Sequence, residues 1–229
     1  MKRFYTTATI EPGPDGLAIL LDGKPVKTPA KAPLLLPGAA LADAVAAEWN
    51  AQGDKIAPRT MKLTGLANAA IDRIGPERDS FVRALAAYGE SDLLCYRAEA
   101  PAGLVQCQAA LWDPPLAWAR RRFDVDFEIV HGVMHRGQPD FTLRQLEAAV
   151  AAYPAFALAA LSQLVSLSGS LVLALMLAEG ATNLDTAWRA ATADEDWQAE
   201  QWGADADAAA RQEARRQDFA AAARFLTLL

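Results

Sequence analysis

The sequence predicts an α+β protein: a small β-rich amino-terminal domain with a covering helix, residues 1–58, followed by an all-helical carboxyl-terminal domain, residues 59–229. Three observations predict it. Strand and turn signals fill the first 37 residues, helical spacing takes over from about residue 60, and the alanine and leucine content favours helix. With 52% hydrophobic residues in 229, the chain can bury a sizeable core.

In the first domain, 17-LAILLDGKPVKTPAKAPLLLP-37 holds two apolar pieces around Asp22-Gly23, a hairpin turn signal. Pro25, Pro29 and Pro33 exclude a helix there and suggest exposed edges. The segment 38-GAALADAVAAEWNAQG-53 then reads as a helix, with Leu41, Val45 and Trp49 in one stripe and Gly53 as its stop. This helix is expected to cover one face of the sheet.

The second domain opens with helical spacing through Leu63, Leu66, Ala67, Ala70, Ile71 and Ile74. Gly75-Pro76 ends that helix and starts the next, through Phe81, Val82, Leu85 and Tyr88. Residues 104–123 form another helix, with Pro114-Pro115 marking a kink or a join. The piece 125-VDFEIVHG-132 fits a short strand, and Thr142 with Gln145 fits a capping box. The run 155–178 carries no charge, but Ser162, Gln163, Ser166, Ser168, Gly169 and Ser170 interrupt it and no Lys or Arg lies close to its ends. It reads as one or two buried helices broken near Ser168-Gly169, not as a membrane span.

A net charge of −6 argues against nucleic acid as a partner, so Arg120-Arg121-Arg122 reads as a solvated helix face. Two cysteines, Cys95 and Cys107, make no disulfide framework. The amino terminus has no apolar signal region, so the expectation is a cytoplasmic protein without a targeting extension. Neither a phosphate loop nor a GxSxG elbow is present. His131 and His135 stand four apart, but Gly132 weakens a helix there and no HExxH glutamate accompanies them. No metal, cofactor or catalytic residue is therefore expected, and nothing positively marks the chain as an enzyme.

The stretch 194-DEDWQAEQWG-203 places Trp197 and Trp202 in polar surroundings. If 186–203 is one helix, Trp188, Glu195 and Trp202 share a face at intervals of seven, and Gln198 joins them one turn before Trp202. Trp197 then points about 140° away. Two readings stay open. Both indoles pack into the fold, or one anchors the helix while the Glu195–Gln198–Trp202 face meets a partner.

The sequence resembles the ATP12 family, assembly chaperones of the F1 sector of ATP synthase. The resemblance rests on Arg3-Phe4-Tyr5, on 21-LDGKPVKTPA-30, on Glu48-Trp49-Asn50-Ala51-Gln52, on 56-IAPRTMKLTGLA-67, on 167-LSGSLVLAL-175, and on Glu195, Gln198, Trp202 and Gly203 as E-x-x-Q-x-x-x-WG. Family members often continue with an acidic stretch containing histidine, whereas this chain reads 204-ADADAAARQ-212 without one. The resemblance implies a non-catalytic chaperone that binds the unassembled F1 α subunit and masks its interface. Its signature points to Glu195, Gln198, Trp202 and Gly203 as partner-binding residues, and the expectation adds Trp197 to them and a monomeric protein. A small hydrolase or transferase is the alternative from another class.

Overall fold

The computed structural model describes residues 1–132, 135–203 and 205–229; the middle of the His131–His135 pair and Ala204, the first residue of the 204–212 stretch, lie outside the described residues. The chain forms two compact units. The first comprises Met1–Arg78 with Pro154–Ala160 and Ala221–Leu229, and the second comprises Asp79–Tyr153 with Leu161–Ala220.

The first unit is a small antiparallel sheet with a helix across it. Strand β1 (Ala8–Gly13) pairs with β2 (Gly16–Leu21), from Ala8 opposite Leu21 to Gly13 opposite Gly16. The other edge of β2 carries β3 (Lys24–Pro25) and β4 (Leu35–Leu36). As the central strand, β2 buries Ile19, Leu20 and Leu21 in succession. The turn between β2 and β3 falls at Asp22-Gly23, with φ of 47° and 80°. Two consecutive positive φ values give the primed turn whose twist suits a hairpin.

Helix α1 (Ala39–Asn50) packs on β1 and β2 and ends three residues before Gly53. Its Leu41 and Val45 are fully buried, and Trp49 lies half-buried against the same core. That core also takes Tyr5, Met61, Leu63 and Phe225, and Phe225 stacks on Phe156 with ring centroids 6.3 Å apart. A cut at residues 58/59 would fall inside this unit, because α2 (Lys62–Ala69) and the π turn Ala70–Ile74 are bonded back onto it. The Glu48 carboxylate accepts from the N–H groups of Leu63 and Thr64, both at 2.8 Å, and so caps α2 from a neighbouring helix. The Gln52 side chain donates to the Glu48 carbonyl and the Thr60 hydroxyl and accepts from the Ala57 N–H. Asn50 accepts from the Ala8 N–H and donates to the Ala8 carbonyl, standing in for a strand partner. The guanidinium of Arg3 donates to the carbonyls of Tyr5, Thr6, Asn50 and Gln52, which places a cation at the carboxyl end of α1.

The second unit is mainly helical. Helix α3 (Arg78–Ala86) leads into it, followed by β5 (Tyr96–Arg97) and α4 (Ala102–Phe123). Pro114 and Pro115 lie within α4, which runs on unbroken, so they mark no join. Strand β6 (Val130–His131) pairs in parallel with β5; the strand expected in 125–132 narrows to these two residues. His131 therefore sits on a strand, and the His135 ring stacks on Tyr96.

The capping box expected at Thr142 is not formed. Helix α5 (Asp140–Ala151) begins after Pro139, and the Thr142 hydroxyl donates instead to the Asp126 carbonyl at 2.6 Å. Helix α6 (Ala155–Ser168) ends at Gly169, φ 70°, and α7 (Leu171–Ala178) restarts from Ser170, whose hydroxyl accepts from the Leu173 N–H. The uncharged run is thus two helices, and no helix among the described residues is long and apolar enough to cross a membrane. Helices α8 (Leu184–Ala191), α9 (Ala193–Trp202) and α10 (Ala206–Thr227) complete the chain. Of the three arginines ending α4, Arg120 pairs with Asp126, Arg122 pairs with Glu179, and Arg121 is exposed. Cys95 is fully buried and burial pushes its thiol up to about 12. Cys107 is half-buried, and both are free thiols.

Asp92 joins two parts of this unit. It is fully buried, and its carboxylate accepts from the N–H groups of Leu94 at 3.1 Å and Val172 at 3.0 Å. Burial pushes the carboxyl up to about 6, against the opposing pull of these donors.

Two measurements test this description. A valine at position 23 would have to hold φ near 80° on a β-branched residue. Gly23→Val should therefore lower stability by about 1–2 kcal/mol in chemical denaturation, and an unchanged midpoint would mean the turn is built differently. Folding raises the Asp92 carboxyl above its ordinary 3.8, so its stabilising contribution is full below that pH and is lost as pH climbs through 6. The loss amounts to roughly 3 kcal/mol. Unfolding free energies taken from pH 4 to 7 should show this decline in the wild type and lack it in Asp92→Asn. The same decline in both proteins would assign it elsewhere.

Candidate functional site

The 186–203 segment is two helices, because the chain leaves helical geometry at Thr192, φ −108° and ψ 10°. The interval of seven between Trp188 and Glu195 therefore crosses a break and does not by itself align them. Trp188 is buried against Phe219, with ring centroids 5.3 Å apart. Arg215 restores the link that the broken helix removes. Its guanidinium donates to both Glu195 carboxylate oxygens, at 2.8 and 3.0 Å, and lies 5.7 Å from the Trp188 ring. A further N–H donates to the Leu167 carbonyl at 3.1 Å.

Helix α9 buries only Ala193 fully. Its attachment is mostly polar. Asp194 accepts from the Gln108 side chain of α4, whose own oxygen accepts from the Ala98 N–H. Asp196 accepts from the Thr192 hydroxyl and from the Gln212 side chain of α10, each at 2.8 Å. Trp197 turns toward α4, where Gly103 leaves room for it. A Cβ built on Gly103 would collide with Trp197 Cη2 and lie 3.1 Å from Cζ2.

The opposite side of α9 faces a groove of about 630 Å³ against α10. Glu195, Gln198, Trp202 and Gly203 line it, and Trp197 does not. Ala199, Ala208 and Ala209 add apolar surface, and Arg211, Gln212 and Arg215 form the α10 wall. Trp202 is 79% exposed, and Gln198 is exposed, its side chain making no hydrogen bond among the described residues. The Glu195–Arg215 pair is itself solvent-facing, with half of the Glu195 side chain exposed, so it contributes at most about 1 kcal/mol. The α10 residues carried no motif in the sequence. Their one signal was Arg211 and Arg215 four apart on a helix, a spacing that puts both on one face. No group of three His, Cys, Asp or Glu among the described residues could hold a metal ion.

Exposed aromatics rimmed by polar residues are common anchors in protein interfaces in general. Comparison with known proteins shows the family. A family model described as ATP12 chaperone protein matches residues 2–120. Atp12 from Paracoccus denitrificans is similar at 41% identity, with 99% of this chain and 97% of that chain covered and a TM-score of 0.94. A solved aspartate-to-lysine mutant of the Paracoccus protein gives the same values. The Atu1473 protein of Agrobacterium tumefaciens is 44% identical over 99% of this chain and 85% of that chain, with a TM-score of 0.95. The chain belongs to the ATP12 chaperone family.

The fit of Trp197 over Gly103 is directly testable. Gly103→Ala should displace the indole and cost about 1–3 kcal/mol by overpacking, with a red shift of tryptophan emission. Unaltered stability and emission would show that Trp197 is not seated there.

Proposed function

We propose that the chain is an assembly chaperone of the F1 sector of ATP synthase that binds the unassembled α subunit and masks its exposed interface. An unpaired subunit of an alternating ring presents a large contact surface to water, and a large apolar patch is an aggregation hazard. A binder that covers it and is displaced by the true partner needs no nucleotide site. The observation that carries the reading is Trp202, 79% exposed beside a groove, next to a Gln198 whose side chain makes no hydrogen bond among the described residues. Glu195, Gln198, Trp202 and Gly203 are proposed to meet the client, with Trp197 holding α9 in place from its other side. The chaperone is proposed to act as a monomer in the bacterial cytoplasm, without inserting into a membrane or binding nucleic acid. An ATP-hydrolysis assay on the pure chain separates this reading from a small hydrolase or transferase.

The test pairs thermal unfolding with pull-down of F1 α on the same variants. Glu195→Lys removes an exposed ion pair and sets two cations together, so stability should change by no more than about 1 kcal/mol. Capture of α should fall at least about tenfold, because a reversed charge at an interface adds repulsion. Trp202→Ala should weaken capture by a similar factor or more. Normal capture by folded Glu195→Lys and Trp202→Ala proteins would remove this face from the site.

A further inference from the structure

We infer that the edge formed by Met1–Arg3 and Asp54–Ile56 is a second docking surface for the client, one that takes an extended segment bearing a carboxylate beside an apolar side chain. The inference rests on the chaperone reading above.

Lys2 stands opposite Lys55 in an antiparallel bridge, framed by Arg3 N–H donating to the Asp54 carbonyl at 2.9 Å and Ile56 N–H donating to the Met1 carbonyl at 2.8 Å. In such a pair the intervening residue's own N–H and C=O point outward. Those of Lys2 have no hydrogen bond among the described residues. This open edge is what an extended segment adds to.

The edge also presents an aromatic anchor. Phe4 is 66% exposed, its ring edge-on to Tyr5 at 5.5 Å. Both neighbours are fixed. Arg3 is bonded to four carbonyls, and the buried Tyr5 donates its hydroxyl to the Trp49 carbonyl at 2.7 Å. Phe4 is therefore held out toward water from an ordered backbone, and binding through it loses little further chain entropy.

A single exposed aromatic is ordinary, and edge lysines discourage aggregation. The charge pattern carries the argument past that reading. A cleft of about 660 Å³ is lined by Lys2, Arg3, Tyr5, Gly53, Asp54 and Lys55. All four hydrogen-bond acceptors of Arg3 are neutral carbonyls, so its charge is not neutralised by them. Lys2 and Lys55 have no ion-pair partner among the described residues, and Asp54 is the one carboxylate lining the cleft. The first unit carries eleven Lys and Arg against eight Asp and Glu, whereas the second carries eleven against twenty. An acidic segment of a client thus finds its complement on the first unit.

The test uses the full chain with purified F1 α, measuring affinity across a salt series, thermal unfolding and oligomeric state. Phe4→Ala should weaken α binding about tenfold with a melting temperature within about 2 °C of wild type. Lys2→Gln combined with Lys55→Gln should weaken it comparably and flatten its dependence on salt. If the wild type binds α and both variants bind equally well, this surface is excluded while the chaperone reading stands. If the wild type binds no α, both fall. A dimer that Phe4→Ala dissociates would make a second copy the occupant and overturn the proposal. Should Phe4→Ala melt early, Phe4 is a packing residue, and unchanged binding by the lysine pair variant then rejects the surface.

Discussion

The carboxyl end of α1 is the fastening point of the first unit. Within five residues, Glu48, Asn50 and Gln52 reach the start of α2, the first strand and the loop between the two helices. Every one of these bonds satisfies a main-chain group that regular structure leaves open, and an unsatisfied buried amide costs about 1–3 kcal/mol. The arrangement explains why this unit takes in α2. Two of the four sheet strands have only two residues each, and so short a sheet gives little support by itself. The side chains of one helix end supply the missing connections.

The second unit solves a related problem for α9. A helix with ten residues and one fully buried side chain has little apolar surface to dock with. Asp194 and Asp196 tie it to α4 and α10, while Trp197 supplies the packing contact against Gly103. The acids that made 194–203 look like solvent-exposed sequence are in part its means of attachment. This leaves the other side of the helix, with Gln198 and Trp202, uncommitted to the fold.

The sequence was most informative where a single local rule decides the outcome. Asp22-Gly23 permits a primed turn, the stripe of Leu41, Val45 and Trp49 has one helical reading, and the serine-glycine interruption at 168–170 breaks an apolar run. It misled where a distant partner intervened. Thr142 has the local credentials of a cap but is engaged by Asp126, sixteen residues earlier. The regular spacing through 188, 195 and 202 concealed the break at Thr192. Four of the five site residues named from sequence line one groove, whereas its α10 wall sits in an alanine-rich tail without a motif. Arg215 matters through Glu195, Leu167 and Trp188, none of them its neighbours in sequence, and spacing cannot reveal such a contact.

The polar attachment of α9 also shapes how it moves. Opening a helix exposes apolar surface in proportion to what the helix had buried, and that area sets how strongly urea promotes the opening. Here the area is small beyond the ring of Trp197, since Ala193 alone is fully buried. Amide protons in α9 are thus placed to exchange with solvent through local openings nearly indifferent to denaturant. Those of α7, where Leu171 through Leu175 are fully buried, wait for the unit as a whole to unfold.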